Sequence, residues 1–404
     1  MSWRTVPLHK VASLESGFGF PREYQGDENQ EFPFFRVSDM NIAGNEVFME
    51  NHSNTVSAAI LKELGAKAFP AGTVIFPKIG AAIATEKKRI LTKPATYDNN
   101  VMGAVPKAGT NPKFLYYWFL QLKLSDQANP GHVPSIRKSV MEEIPFPVVA
   151  PSEQFRIVEL LDEADRLRRL RREADAKAAR ILPALFLKMF GDPATNPMGW
   201  PVEPLTKICS PKQWPTISSK DLTDSGFPVY GANGTIGYFS SYNHEKPTVL
   251  ITCRGATCGT INVCEPKSYV TGNAMALDEP DLGKTSLEFL ECYLNVRGLN
   301  DTITGAAQPQ ITRQNLQVVT VFVPPPDLVA KFSRHVRAIK DLLAGVQSGG
   351  DRLDDAFGLL LQRAFSGQLT AHWREVHMQE LLAEMTQQAL ALNLQVPIEL
   401  EALS

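Results

Sequence analysis

Apolar residues follow two different rhythms along this chain. Through residues 1–150 they come in short runs, such as Thr73-Val74-Ile75-Phe76 and Ile144-Pro145-Phe146-Pro147-Val148-Val149, punctuated by Gly, Pro and Asn. Runs of this length between turn-forming residues predict strands. One helix-like run, Phe114 to Leu124, lies between them. The mixture predicts an α+β domain over residues 1–150.

At Pro151 the rhythm changes. Apolar positions Leu160, Ala164, Leu167, Ala174, Ala178, Ile181 and Leu185 recur at helical spacing, interrupted at Arg171. This predicts a long helix opened by Pro151-Ser152, with Glu153 in its first turn. Pro183 is expected to end or kink it near residue 182. Residues 151–192 thus read as a central spacer helix. After the turn-rich Gly191–Gly199 link, the α+β texture returns over 193–325. A second helical stretch, 326–374, carries Phe332, Val336, Ile339, Leu343, Val346, Leu353, Phe357, Leu360 and Ala364 in the 4-3 alternation of a coiled-coil seam. Gly349-Gly350 interrupt it, each costing about 1 kcal/mol relative to Ala, which marks a place for a local break. Residues 375–404 read as an acidic amphipathic tail, with apolar Leu381, Leu382, Met385 and Leu392.

The chain also repeats itself. Phe76 to Ala81 has a counterpart in Ile251 to Ala256. Gly80 and Gly255, Pro134 and Pro309, Pro151 and Pro326, Phe190 and Phe365 are all 175 residues apart, while Asn100 and Asn273, Met102 and Met275 are 173 apart. A repeat this long is a whole domain plus its connector. The fold expected is therefore α+β, with two tandem α+β domains separated by two long antiparallel helices and related by an internal pseudo-two-fold. Each helix needs a partner to bury its stripe, and the equivalent helix is the simplest one. Two copies in one chain suit a two-part target, of which duplex DNA is the commonest.

Composition adds limits. The chain of 404 residues carries a net charge of −2, which argues against a simple basic nucleic-acid binder. Residues 375–404 hold five Glu and no Lys or Arg, so residues 1–374 stand at +3. No apolar run approaches a membrane span and the N-terminus lacks an apolar signal core, so a cytoplasmic protein is expected. The five cysteines lie in the second half without framework spacing, as reduced thiols do. Cys253-x4-Cys258-x5-Cys264 lacks the close pairs of a zinc site.

Catalytic motifs fail. Leu282-Gly283-Lys284-Thr285 resembles the end of a phosphate-binding loop, but Asp278 stands where the motif needs Gly. The Asn-Pro-Pro-aromatic run of amino-methyltransferases is absent. Recognition signals are better. Tyr230-Gly231-Ala232-Asn233-Gly234-Thr235-Ile236-Gly237-Tyr238 is a Gly-rich turn between aromatics, which a tight hairpin explains equally well. Thr304 to Gln310 offers two amides, and Gln pairs bidentately with adenine in the major groove. Lys87-Lys88-Arg89 is a basic cluster that binds phosphate or simply solvates a loop.

Several motifs together resemble a known family, the specificity (S) subunits of type I restriction–modification enzymes. They are Ser16-Gly17-Phe18-Gly19-Phe20-Pro21, Phe35 to Met40, Phe76-Pro77-Lys78-Ile79-Gly80, Pro151-Ser152-Glu153-Gln154-Phe155-Arg156-Ile157-Val158, Leu185 to Pro193, Tyr230 to Tyr238, Thr304 to Ile311 and Ala364 to Thr370. Their order and duplication cover nearly the whole chain. The Gly349-Gly350 pair and the acidic tail depart from the pattern.

The resemblance implies two target recognition domains, each reading one half of a split double-stranded DNA site, and helices that dock two methyltransferase (M) subunits. Those subunits, not this chain, would bind S-adenosylmethionine and methylate adenine, and ATP-dependent restriction (R) subunits would join in phage defence. DNA-contacting positions expected in the first domain are Arg36, Ser38, Lys78, Lys88, His132 and Arg137. In the second they are Tyr230, Asn233, Arg254, Gln308, Gln310 and Arg313. Arg171, Leu185, Phe186, Phe190, Leu360 and Phe365 are expected partner contacts. No catalytic or metal-ligating residue is expected. The readings that stay open are a self-contained DNA-modifying or DNA-cleaving enzyme and a purely structural assembly protein.

Overall fold

The computed structural model describes residues 3–129, 131–232, 234–305 and 308–392, with backbone alone at 345–351. The chain divides into two compact units, Met1–Arg169 with Arg352–Ser404, and Leu170–Asp351. The division passes through both long helices.

The first unit is built on a five-stranded sheet in the spatial order Ala12–Ser16, Val101–Pro106, Val74–Pro77, Arg89–Leu91, Phe48–Met49. Val74, Ile75 and Phe76 are buried without gaps, which explains why this strand reads as a continuous apolar run. The helix Pro112–Gln121 packs on the sheet. Asn111 caps it by accepting from the Lys113 and Phe114 N–H groups, and Pro112 pre-sets its first turn. A smaller sheet joins Phe32–Phe35 in parallel to Thr96–Tyr97. Thr5–Pro7 pairs with Pro145–Pro147 at the domain's exit.

The second unit repeats this plan. Its main sheet runs Ser210–Gln213, Ala274–Asp278, Val249–Thr252, Ile261–Val263. Ser286 caps the equivalent helix, Leu287–Arg297, through the Phe289 N–H. Phe227–Gly231 pairs in parallel with Tyr269–Val270, and Val202–Pro204 pairs with Thr320–Phe322.

The first long helix runs Pro151–Ala178 and restarts as Ile181–Phe190. The break falls two residues earlier than the one expected near 182. Pro183 has no N–H and its ring clashes with the carbonyl four residues back. Breaking at residues 179–180 puts Pro183 in a new first turn, where neither defect matters. The second helix, Pro326–Phe365, is continuous through Gly349-Gly350, so the break expected there does not occur.

The apolar stripe of the first helix is also corrected. Leu167 and Ile181, expected on it, are exposed, while Ile157, Val158 and Leu161 are buried. Polar groups share this face. Glu153 and Gln154 are both buried, and the Arg168 guanidinium lies 4.1 Å from the Phe357 ring centre, where an aliphatic residue would otherwise sit. In the first unit the two helical segments run antiparallel. Arg168 Nε meets Asp354 at 2.6 Å near one end, and Glu153 meets Thr370 at 2.5 Å near the other. The second helix follows its seam: Phe332, Val336, Phe357 and Ala364 are buried, and Ile339, Leu343, Leu353 and Leu360 are half-buried. The Val346 side chain lies outside the described residues.

The acidic tail is helical at Met378–Ala391 and packs on the first unit through Leu381, Ala389 and Leu392. Glu384 accepts the Ser152 N–H at 2.9 Å, capping the first long helix from outside. Among the described residues, no helix is long and apolar enough to cross a membrane.

Candidate functional site

The duplicated motifs converge on the same backbone constellation in each unit. In the second unit, the strand Val249–Thr252 ends in a tight loop. Gly255 takes a left-handed conformation (φ 90°), which its repeat partner Gly80 shares (φ 75°). Gly255 N–H donates to the Pro309 carbonyl at 3.1 Å and Ile311 N–H to the Cys253 carbonyl at 3.0 Å. These bonds set Arg254 directly opposite Gln310. Gln310 is also paired on its other side with Thr304, through reciprocal bonds of 2.8 and 2.9 Å. The Gly-rich hairpin Phe227–Phe239 is tied to this loop, because Thr252 Oγ1 donates to the Ala232 carbonyl at 2.7 Å. Two loops, braced by the hairpin, thus carry Arg254 and Gln308, Gln310 and Arg313, all exposed on a frame of backbone bonds.

The first unit reproduces the frame. Gly80 N–H donates to Pro134 at 2.8 Å and Ile136 N–H to Lys78 at 2.9 Å. Ile79 stands opposite Ser135, and Ser135 opposite Asn129. His132 and Arg137 are exposed on the flanking loop. Lys78 points the other way, donating to Ser16 Oγ at 2.9 Å. Burial pulls its ammonium below the usual lysine range, while Asp98 opposes the shift. Burial also raises the Asp98 carboxyl, against hydrogen bonds from Asn100 and the charge of Arg36. Lys78 and Arg36 therefore flank one buried carboxylate. Arg36 is half-buried, with Nη1 donating to Gln25 at 3.3 Å and its N–H to Asp39 at 2.7 Å, and Ser38 is exposed beside it.

Other expected positions are placed differently. Lys88 is 2% exposed and donates to Glu86 at 2.7 Å and to the Leu122 carbonyl at 2.9 Å, so its charge is committed to the fold rather than to a phosphate. Tyr230 is buried in a small core and its hydroxyl accepts the Glu265 N–H at 3.3 Å; it anchors the hairpin. Asn233 lies outside the described residues. Phe186 and Phe190 are fully buried against Phe289 and Phe332 inside the second unit, which leaves no surface for a partner. Leu185 is half-buried on that same core, while Leu360 and Phe365 are half-buried on the core of the first unit, Phe365 with its ring 5.1 Å from Phe114. Arg171 forms an ion pair with Asp175 at 2.9 Å along its own helix. Sequence reasoning misses Ile79, Asn129 and Ser135, because nothing in their local sequence sets them apart from other loop residues. The 175-residue offset from Arg254, Thr304 and Gln310 is the available clue.

Residues 2–177 and 197–332 match the model of the type I restriction modification DNA specificity domain. The chain belongs to this family. Its role in that family is DNA specificity rather than catalysis. No curated protein matches the specificity chain at a significant level. Solved structures similar to it include a type-I restriction-modification system S subunit from M. genitalium, at 18% identity and a TM-score of 0.56, covering 90% of this chain and 96% of that one. Another is a structure described as the basis of complex assembly and conformational transition of the type I R-M system, at 17% identity and a TM-score of 0.52, covering 91% and 98%. At these identities the likeness establishes the fold.

Proposed function

We propose that each unit reads one half of a split duplex DNA site and that the long helices dock two methyltransferase subunits. Those partners bind S-adenosylmethionine and methylate adenine, and restriction subunits driven by ATP join them. The observation carrying this reading is the pairing of the same loops in both units, each displaying side chains on a rigid backbone frame. A duplicated reader suits a two-part site. The near-neutral charge fits a chain whose partners share the phosphate contacts. The second similar structure is described in terms of complex assembly in the type I R-M system, which supports partner subunits.

The test is co-expression with a cognate methyltransferase, followed by mapping of methylated adenines across the host genome. A split motif methylated only when this chain is present is the expected result. A stable complex that adds no methylation overturns the reading.

A further inference from the structure

The repeat frame identifies a row of three side chains in each unit. Residues directly opposite in a β-bridge project from the same face, with Cβ atoms roughly 5 Å apart. In the first unit Ile79, Ser135 and Asn129 are opposite one another in succession. In the second unit Arg254, Gln310 and Thr304 are. The three pairs share one offset of 175 residues, and the hydrogen bonds flanking the Ile79–Ser135 and Arg254–Gln310 bridges are the same in both units. The preceding residue points to the opposite face, as alternation requires. Lys78 reaches Ser16, while Cys253 accepts from Gln213 Nε2 at 3.0 Å. Ser16 pairs with Met102 and Gln213 with Met275, so these are equivalent inner contacts. The row is therefore the outward face of the frame, and the inner pair supports it.

Resting on the proposed function, we propose that this row is the base-reading surface of each unit, and that the two rows read different chemistry. In the second unit Arg254 provides a fork for guanine O6 and N7, Gln310 a bidentate pair for adenine, and Thr304 a hydroxyl and a methyl. In the first unit Asn129 provides the adenine pair, Ser135 a single hydroxyl, and Ile79 an apolar contact for the thymine methyl. The rows differ at all three positions, so the half-sites differ, and the full site is asymmetric. The cation of the first unit, Lys78, is on the inner face and positions the frame.

The experiment is selection of bound duplexes from a random DNA pool, using the full chain assembled with its methyltransferase partner. Two variants are compared with wild type. One moves the second row into the first unit (Ile79→Arg, Asn129→Thr, Ser135→Gln). The other replaces two of the three exposed second-row residues (Arg254→Ile, Gln310→Ser) and touches no buried group, so it reads the proposal even where the first fails to fold. Each variant is expected to change one half-site only, leaving the other half and the gap as in wild type. Affinity for the original site falls about tenfold to hundredfold per lost bidentate pair. A wild-type motif that persists unchanged in the second variant overturns the row, as does a variant that alters both halves. A wild-type chain that selects no split motif overturns the proposed function instead.

Discussion

Glu153 and Arg374, 221 residues apart, form an ion pair inside the first unit, with Arg374 Nη2 2.6 Å from Glu153 Oε1. The side chains are 3% and 12% exposed, and Thr370 and the Gly367 carbonyl complete their hydrogen bonds. The repeat position of Glu153 in the second unit is Leu328. The fold thus accepts an apolar residue at the equivalent position of its second copy. Removing one partner leaves a buried charge uncompensated, at a cost of about 3–5 kcal/mol. Arg374→Ala should lower stability in denaturant titration by that order, and Glu153→Leu with Arg374→Met should recover most of it. Equal stability of Arg374→Ala and wild type would show that the pair does not hold the tail to the unit.

Glu86 makes the first unit acid-sensitive. Burial raises its pKa, but Lys88, the Leu124 N–H, and the Ser125 N–H and hydroxyl outweigh it and bring the carboxyl from 4.5 to about 2. A carboxyl with a depressed folded pKa contributes stability that is present above its unfolded value and lost as pH falls towards the folded one. Stability should therefore decline between about pH 4.5 and 2, and Glu86→Gln should be less stable at pH 7 with a shallower decline. An identical pH slope in the variant would exclude Glu86 as the cause. Lys88→Met should also unfold more readily, without any change in DNA affinity beyond that caused by lost stability.

These two clusters show what is legible in the sequence. The offset between Gly80 and Gly255 exposes the repeat, and the seam around Phe332 and Phe357 exposes the second helix, because both are local spacings. Periodicity misreads the first helix because its buried face holds Glu153, Gln154 and Arg168, residues that it counts as solvent-facing. Lys88 resembles a phosphate ligand for the same reason: sequence does not show that Glu86 and a carbonyl satisfy it. Phe186 and Phe190 announce burial, but not which surface buries them. Ile79 and Ser135 are silent until the bridges Ile79–Ser135 and Arg254–Gln310 prove equivalent.

Gly17 explains part of the first recognition motif. A Cβ at this position would lie 2.0 Å from the Asp98 carbonyl oxygen and 2.4 Å from that of Tyr97, both backbone atoms that cannot swing aside. Phe18 N–H donates to the same Tyr97 carbonyl at 2.9 Å, holding the chains together. Gly17→Ala must displace this segment, and overpacking of this kind costs about 1–3 kcal/mol or more. Because Asp98 faces Lys78 and Arg36, the variant should also weaken DNA binding through the first unit, measured as lost discrimination in one half-site. Gly19→Ala is the control, since its Cβ would meet nothing within 4 Å. Equal melting temperatures for the two variants would refute the close-approach argument.

The thiols report on the second unit's frame. Burial pushes Cys209 and Cys292 up to about 12, and raises Cys253, Cys264 and Cys258 as well, so access rather than pKa sets Cys258 apart. Cys258 is half-buried, in the loop that follows Arg254. Alkylation needs a thiolate and access, so iodoacetamide at pH 8 should modify Cys258 first, with the other four following only on unfolding. Cys253 sits directly beneath Arg254, with Sγ held by Gln213. Modification there should therefore coincide with loss of DNA selectivity in one half-site, whereas Cys258→Ser should bind as wild type does. Peptide mass spectrometry against time separates the two events. Rapid labelling of Cys253 in the folded chain, with selectivity intact, would show that the inner contact does not position Arg254.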